Sequence, residues 1–242
     1  MSTKNIGSEG FKWFFGVVED RDDPLKLGRV RLRINTVHNT ENAQKLPTKN
    51  LPWAIPLVPV TSASQKQVGL APVGPMVGTT VFGFFMDGVE AQMPVYLGTL
   101  FGIPDKDPKK HDVPDLAREL YTLNKQTLGP EPQTPYQAKY PYNKVFRSES
   151  GHIFEVDDTP NAERTHQYHR SGTYTEVNYE GRKVDKIVGD SYEIVVKDKT
   201  VYIQGNVNVQ VKGNVNVKVD GTYTVESGGT MTFRAPRIDM NP

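Results

Sequence analysis

The stretch 205-GNVNVQVKGNVNVKVDG-221 contains two consecutive eight-residue units, and each unit begins with glycine. Valine alternates with polar residues through both units, and strict alternation predicts an extended strand with one apolar and one polar face. The valines are Val207, Val209, Val211, Val215, Val217 and Val219. The glycines share the parity of the valines, so we expect them on the apolar face where the chain bends.

The same eight-residue period extends over residues 187–235. Its glycines are Gly189, Gly205, Gly213, Gly221 and Gly229. Lys197 stands at the one position of the period from which glycine is missing, and a branched aliphatic residue precedes most of these positions by two. A fixed short period indicates one structural unit repeated along an axis.

A single octad offers too little inward-facing chain to close a helical turn. Single-chain β-helices need three walls, roughly 18 residues as hexapeptide repeats. Three chains that each supply one wall would close the turn and pair every strand edge. We therefore predict an intertwined triple-stranded β-helix over residues 187–242, formed by a homotrimer. The alternative is an antiparallel meander with hairpin turns at the glycines.

The overall composition excludes several classes of protein. The 242 residues include 29 basic and 28 acidic side chains and no cysteine. A near-zero net charge argues against binding to nucleic acid or anionic lipid by bulk electrostatics. The lack of cysteine excludes disulfides and thiolate metal sites. No apolar run of 18 residues and no apolar N-terminal signal segment occurs, so we expect a soluble chain that no signal peptide exports.

Residues 1–103 predict a small β-barrel, most simply of the OB type. Five segments rich in β-branched and aromatic residues supply its strands: FKWFFGVVED, GRVRLRI, LPWAIPLVP, GTTVFGFFMDG and MPVYLGTLFG. Arg29, Arg31 and Arg33 alternate with aliphatic residues and are expected on a solvated strand face rather than at a nucleic-acid site. Trp13 and Phe15 alternate likewise, together with Phe11, and are expected in the core or at a protein interface.

The next two regions contain no predicted catalytic, cofactor or metal residues. Residues 104–145 hold seven prolines and predict a linker with one short amphipathic helix over 115–126. In the transition segment 146–186, Asp157 and Asp158 precede Thr-Pro-Asn, which predicts a turn capped by these side chains rather than a metal or acid–base site. His166 and His169 are three residues apart, which on a strand directs their rings to opposite faces.

Three stretches together resemble the central spike proteins of contractile-tailed phage baseplates, whose architecture recurs in the VgrG spikes of type VI secretion. They are FGVVEDRDDPLKLGRVRLRI (15–34), GHIFEVDDTPNAER (151–164) and the octads. The resemblance implies a homotrimer with its OB barrels on a trimeric hub. Its β-helix would form a needle that pierces the host envelope during sheath contraction, touching membrane only then. The expected location is the virion tail baseplate.

The chain departs from this family pattern in two ways. T-even members carry a lysozyme domain between barrel and β-helix, where this chain has only the proline-rich linker, so we expect no enzymatic activity. Asp115 and Glu119 in the linker are read as solvated charges. VgrG proteins carry hub domains before the barrel, whereas about ten residues precede Phe11 here. A separate hub polypeptide, and a phage rather than a secretion spike, are therefore expected.

The C-terminal sequence predicts how the needle ends. The octad rule is expected to stop after Gly229, and no histidine follows His169 to bind a metal at the apex. We expect Arg237, Ile238 and Met240 to contact a separate pointed cap protein of the PAAR type, unless the terminus is simply frayed.

Three other functions stay open at this point. A VgrG-like secretion spike has the same architecture. A trimeric tail-fibre or receptor-binding protein would need an aromatic-rich binding head after the octads. An envelope-degrading enzyme on a β-helix would need paired carboxylates on long surface loops, where the octads carry asparagine and lysine instead.

Overall fold

The computed structural model describes residues 12–38, 46–62, 68–100 and 131–240. The described residues are almost entirely strands and irregular chain, with one four-residue helix, α1 (Asn35–His38), and two short 3-10 turns, Thr48–Asn50 and Gly88–Glu90. The chain divides into two compact units, residues 1–186 and 187–242. The predicted all-β class is confirmed.

Five strands of the first unit close into a barrel in the order β1–β2–β3–β5–β4. They are β1 (Lys12–Asp20), β2 (Val30–Ile34), β3 (Trp53–Pro56), β4 (Thr80–Phe85) and β5 (Pro94–Leu100). Neighbours are antiparallel except β3 and β5, which are parallel. All five predicted strands are present, and the OB-type barrel is confirmed.

Alternation fills the barrel interior, because every second residue of β1, β2 and β4 points inward. Phe14, Val18, Leu32, Ile34 and Phe85 are each at most 2% exposed. One inward position of β4 admits no side chain. A Cβ on Gly83 would lie 2.1 Å from the Val95 carbonyl oxygen and 2.7 Å from the Phe14 ring. Glycine is therefore required there by the close approach of β5.

A second sheet of the first unit is an antiparallel meander in the order β10–β9–β8–β7–β6. Its strands are β6 (Asn143–Arg147), β7 (Ile153–Asp157), β8 (Arg164–Tyr168), β9 (Tyr174–Asn178) and β10 (Lys183–Lys186). The predicted transition segment is thus a complete sheet that begins at Asn143. The buried face of its central strands is mainly polar, and Phe154 and Val156 lie on the exposed face.

The second unit shows the octad period in its backbone. Neither helix nor strand is assigned to residues 187–240, which bend at 188–189, 196–197, 204–205, 212–213, 220–221 and 228–229. Each bend falls on a glycine of the repeat or on Lys197. A further bend at Pro236 keeps the spacing, whereas the next bend, at Met240, does not, so the backbone period ends one unit later than the expected stop after Gly229. The triple-stranded β-helix stays a prediction.

Several expectations concern residues outside the described ranges. They are the residue Phe11, the helix at 115–126 with Asp115 and Glu119, and the greater part of the proline-rich linker.

Candidate functional site

The loop between β1 and β2 is organised around one carboxylate, Asp23. Its oxygens accept backbone N–H bonds from Leu25 at 3.0 Å, Leu27 at 2.8 Å and Arg29 at 3.2 Å. The Arg29 guanidinium donates to the same carboxylate at 2.6 Å. These hydrogen bonds, led by the one from Arg29, hold the pKa of Asp23 well below its ordinary value of 3.8 despite burial. The motif DDPLKLGR therefore encodes a fixed loop.

This loop presents apolar side chains to solvent. Leu25 and Leu27 are more than half exposed, although the backbone that carries them is held by Asp23. At the base of the loop the Tyr96 hydroxyl donates to the Gly28 carbonyl at 2.6 Å, and burial raises the pKa of Tyr96 to about 12. Gly28 has a φ of +74°. The loop thus holds two exposed leucines on a fixed backbone, although exposed leucines by themselves are common on protein surfaces.

The arginine stripe of β2 is engaged by the barrel itself. Arg33 pairs with Glu19 at 2.7 Å, Arg29 pairs with Asp23, and Arg31 donates to the Leu51 carbonyl at 2.7 Å and covers the Trp53 ring at 4.4 Å. All three side chains are partly buried. They therefore lie on the outer surface as expected, but ion pairs and carbonyls hold them against the barrel and leave them 19–23% exposed.

The outer surface of β1 and β4 carries a ladder of aromatic rings. Trp13 stacks on Phe82 with centroids 5.2 Å apart, and Phe15 lies 5.2 Å from the same ring. Phe84 meets the edge of Trp13 at 5.6 Å. Trp13 and Phe15 were expected either in the core or at a protein interface. Both are half exposed, which excludes the core. A protein interface stays a prediction.

The buried face of the second sheet holds a charge cluster built on Arg164. Its guanidinium bonds Glu155 at 2.7 Å and Glu176 at 2.8 Å, and the Tyr136 ring covers it at 4.9 Å. Burial opposes the charge of Glu155, but His166 and Arg164 outweigh it and lower its pKa. Both carboxylates are almost wholly inaccessible, so this pair cannot flank a sugar ring as a glycosidase requires.

Residues 131–142 close this face from the same chain. Glu131 accepts hydrogen bonds from the Tyr174 hydroxyl at 2.8 Å and the Lys186 ammonium at 2.8 Å. The Lys139 amide donates to the Thr159 hydroxyl at 2.9 Å. Sequence reasoning missed this cluster, although charged residues at alternate positions of 155–157 and 164–166 were a visible signal.

The aspartate turn and the histidines lie as the sequence predicts. Asp157 accepts the Thr159 amide at 3.0 Å and its hydroxyl at 2.6 Å, and so caps the turn. Asp158 is exposed beside Lys144. His166 is buried against Glu155, whereas His169 is exposed in the next turn and bonds Ser171 at 2.8 Å. The two rings therefore do not converge on one metal.

The valines of the octads are exposed in the single chain. Val209 is 81% exposed, whereas the valine two residues before each glycine is less so, Val211 at 50% and Val219 at 46%. The octad glycines have no positive φ, and a Cβ on any of them would meet nothing within 4 Å. The usual reasons for glycine are thus absent within one chain.

The predicted tip residues are solvent-exposed. Ile238 and Met240 are more than half exposed, and the Arg237 guanidinium pairs with Asp239 at 2.8 Å. They follow the backbone bend at Pro236, and Met240 itself lies at a further bend.

Among the described residues, no helix is long and apolar enough to cross a membrane. In the same ranges, no three histidine, cysteine or acidic side chains are grouped as metal ligands.

Sequence comparison identifies relatives among phage proteins. Residues 35–116 match the family described as the Gp5 N-terminal OB domain. The chain is 37% identical over 269 aligned residues to Protein Gp5 of Vibrio phage KVP40, covering 84% of this chain and 64% of that protein. It is 43% identical over 107 residues to the pre-baseplate central spike protein Gp5 of Enterobacteria phage T4. This alignment covers 43% of this chain and 18% of that protein. The chain thus spans less than two thirds of either relative.

Proposed function

This chain is related to the phage Gp5 baseplate spike proteins, and we propose that it is itself the structural central spike of a phage tail baseplate. In this function it is a homotrimeric needle on the tail hub that pierces the host envelope when the sheath contracts. A location in the virion tail baseplate follows from the same relatives.

The exposed octads are the observation that carries the proposal. Each unit exposes apolar side chains to solvent, and Val209 is 81% exposed. The backbone bends follow the same eight-residue spacing. Full burial of one valine stabilises an assembly by about 1.5–3 kcal/mol. Because every octad carries such valines, the stabilisation would add up along the repeat. In one chain a larger side chain would fit at each octad glycine. Two further strands around the same axis would fill that room, and glycine would then be required. Both features support three intertwined chains.

A purely mechanical role without hydrolase activity fits the alignment. The alignment with the KVP40 relative extends over 269 positions, although this chain has 242 residues, so the relative carries residues in the aligned region that this chain lacks. The buried Glu155 and Glu176 offer no catalytic pair. Zymography of the purified protein on peptidoglycan should show no clearing. Clearing would establish an active site in the chain and contradict this part of the proposal.

The proposed partners would contact the barrel and the residues that follow the octads. The barrel, with its leucine loop and its aromatic ladder, would bind a separate trimeric hub protein. Arg237, Ile238 and Met240 would contact a small cap protein of the PAAR type. Aromatic and aliphatic side chains exposed on ordered strands are common anchors of protein interfaces.

The oligomeric state tests the proposal directly. Light scattering should give about three times the 27.1 kDa chain mass. Replacing Val209 and Val217 by Asp should abolish the trimer, because each change places three carboxylates on a dry axis. The control Asn208→Asp with Asn216→Asp adds the same charge on the alternate face and should leave the trimer intact. A monodisperse monomer of the unmodified chain would contradict the proposal.

A further inference from the structure

One ion pair joins the barrel to the second sheet of the same chain. Arg21 lies in the loop between β1 and β2, and Glu149 lies in the turn between β6 and β7. Both Nη atoms of the guanidinium donate to the carboxylate, Nη2 to Oε2 at 2.8 Å and Nη1 to Oε1. Such a paired, planar contact is among the strongest and most directional that arginine makes with a carboxylate. The two residues are 128 positions apart, so local chain geometry does not bring them together.

The barrel half of this pair lies on a fixed loop. The Asp22 amide donates to the Asp20 carboxylate at 2.9 Å, and the Asp23 amide donates to the Arg21 carbonyl at 2.8 Å. The Asp23 carboxylate holds the rest of the loop through further backbone amides. The backbone that carries Arg21 is thus fixed on both sides.

The sheet half of the pair lies in a turn that is held equally well. The Gly151 amide donates to the Ser148 carbonyl at 3.0 Å, and the His152 amide donates to the Ser148 hydroxyl at 3.0 Å. The His152 ring lies 4.4 Å from the His169 ring, which belongs to the turn between β8 and β9. The turn that carries Glu149 is therefore braced against a neighbouring turn of the same sheet.

These fixed surroundings make the pair more effective than most exposed ion pairs. Exposed pairs usually contribute little, because the ordering of two long side chains offsets their attraction and salt screens it. Here both backbones are ordered by their own hydrogen bonds, and the two parallel bonds fix the direction of the contact as well as its distance. The side chains of Arg21 and Glu149 are 31% and 51% exposed, so the contact can open without unfolding either sheet.

We propose that Arg21 and Glu149 form a latch that fixes the barrel on the second sheet of the same chain. Neither side chain belongs to the buried core of its own sheet, so the latch holds the two sheets together without being needed to build them. In the proposed spike it would pass a load from the barrel to the second sheet, from whose last residue, Lys186, the octads continue. This mechanical consequence rests on the proposed function, whereas the latch itself does not.

Cross-linking tests the latch in the full-length protein, because the chain has no cysteine of its own. Asp22→Cys and Ser150→Cys place one exposed thiol beside each partner and leave the ion pair in place. A short bismaleimide should join these thiols within one chain, so the denatured product keeps the mass of a single chain. Asp22→Cys with Glu163→Cys is the control, because Glu163 lies in the turn at the other end of β7, and we expect it to cross-link at least ten-fold more slowly.

Charge reversal separates the ion pair from simple proximity. Arg21→Glu alone and Glu149→Arg alone should each slow the cross-linking of the thiols at 22 and 150 about five-fold. The two changes together should restore the rate, because they rebuild the pair in the opposite sense.

Three results would overturn the latch. They are equal rates in all four charge backgrounds, a rate no faster than that of the control pair, and a link that joins two copies of the chain. Light scattering of the same proteins keeps this question apart from the spike function. An unmodified chain that is not trimeric would contradict the spike function, and the cross-link within one chain would still decide the latch.

Discussion

Buried charged side chains organise the loop between β1 and β2 and the second sheet of the first unit. Asp23 ties three backbone amides and Arg29 into one loop, and Arg164 joins two buried carboxylates. Such groups are costly to bury unless they are paired, and removal of one partner leaves the other without compensation. They hold particular geometries of the backbone and of the sheet in place.

The loop carboxylate gives the first prediction. Asp23→Asn should lower the free energy of unfolding by about 1.5–3 kcal/mol, the usual worth of a hydrogen bond to a charged group. The asparagine side chain would also place an NH2 group, a donor, where backbone N–H groups now donate to a carboxylate oxygen. Chemical denaturation at pH 7 measures the change. Asp22→Asn removes the same charge at an exposed position and should have little effect.

The pH dependence of this difference follows from the lowered pKa of Asp23. A carboxyl whose pKa is depressed by folding contributes its stability above its unfolded pKa and loses it as the pH falls toward the folded pKa. The difference between the unmodified chain and Asp23→Asn should therefore be full above about pH 5 and narrow below about pH 4. A difference that stays constant down to pH 2 would show that the charge is not responsible.

The buried arginine gives a second prediction. Arg164→Met should destabilise the protein by about 3–5 kcal/mol, because it leaves Glu155 and Glu176 buried without a cation. Lowering the pH to 4 should recover part of this loss as the carboxyls take up protons. Arg182→Met, at an exposed position, is the matched control. Thermal unfolding of both variants decides between an ion pair that holds the sheet together and one that is dispensable.

At the scale of elements, alternation in the sequence was sufficient for the barrel. Its five strands lie within the predicted segments, because Val30, Leu32 and Ile34 mark the buried face directly. The second sheet shows the limit of this reasoning. Alternation in 153–157 separates Phe154 from Glu155, but it cannot tell which face the same chain will cover. Contacts of residues 131–142, distant in sequence, decide that question.

The arginine stripe shows a second limit of sequence reasoning. Arg33 was placed correctly on the outer face of β2, and Arg29 lies directly before this strand, but their carboxylate partners are set by the loop fold and the β1–β2 register. The octads show a third limit. Their period predicts the backbone bends, whereas the side chains that would fill the dry face belong to other copies.

The octad glycines give a prediction at this scale. Gly213→Val should weaken or abolish the trimer, although the space around Gly213 is open in one chain. The reason is that two further strands would occupy this space, and overpacking a dense core costs about 1–3 kcal/mol per site, here three times over. Light scattering and melting measure the effect. The control Lys212→Val adds a similar side chain at the adjacent outer position, and equal behaviour of the two variants would contradict an inward glycine.

At the scale of the whole molecule, the two units of the chain divide two tasks. The barrel and the second sheet form a unit with its own core and buried charges, and the barrel offers exposed leucines and aromatic rings as docking groups. The octads leave their apolar side chains exposed in one chain, and in the proposed trimer assembly would bury them. A repeat in which each unit contacts its neighbours can be shortened or truncated without unfolding the rest.

Truncation at either end gives the last prediction. Deleting residues 1–103 should abolish capture of the hub protein and leave a soluble trimeric needle, because the octad core does not draw on the barrel. Deleting residues 236–242 should preserve hub capture and the trimer and abolish only the contact with the cap. Pull-down of each truncated chain against the other baseplate proteins of the same phage measures both contacts, with light scattering to confirm the trimer. Capture of the hub by the chain without its barrel would show that the docking groups lie elsewhere, and capture of DNA oligomers by the barrel at physiological salt would contradict the assignment of the barrel as a hub-binding element.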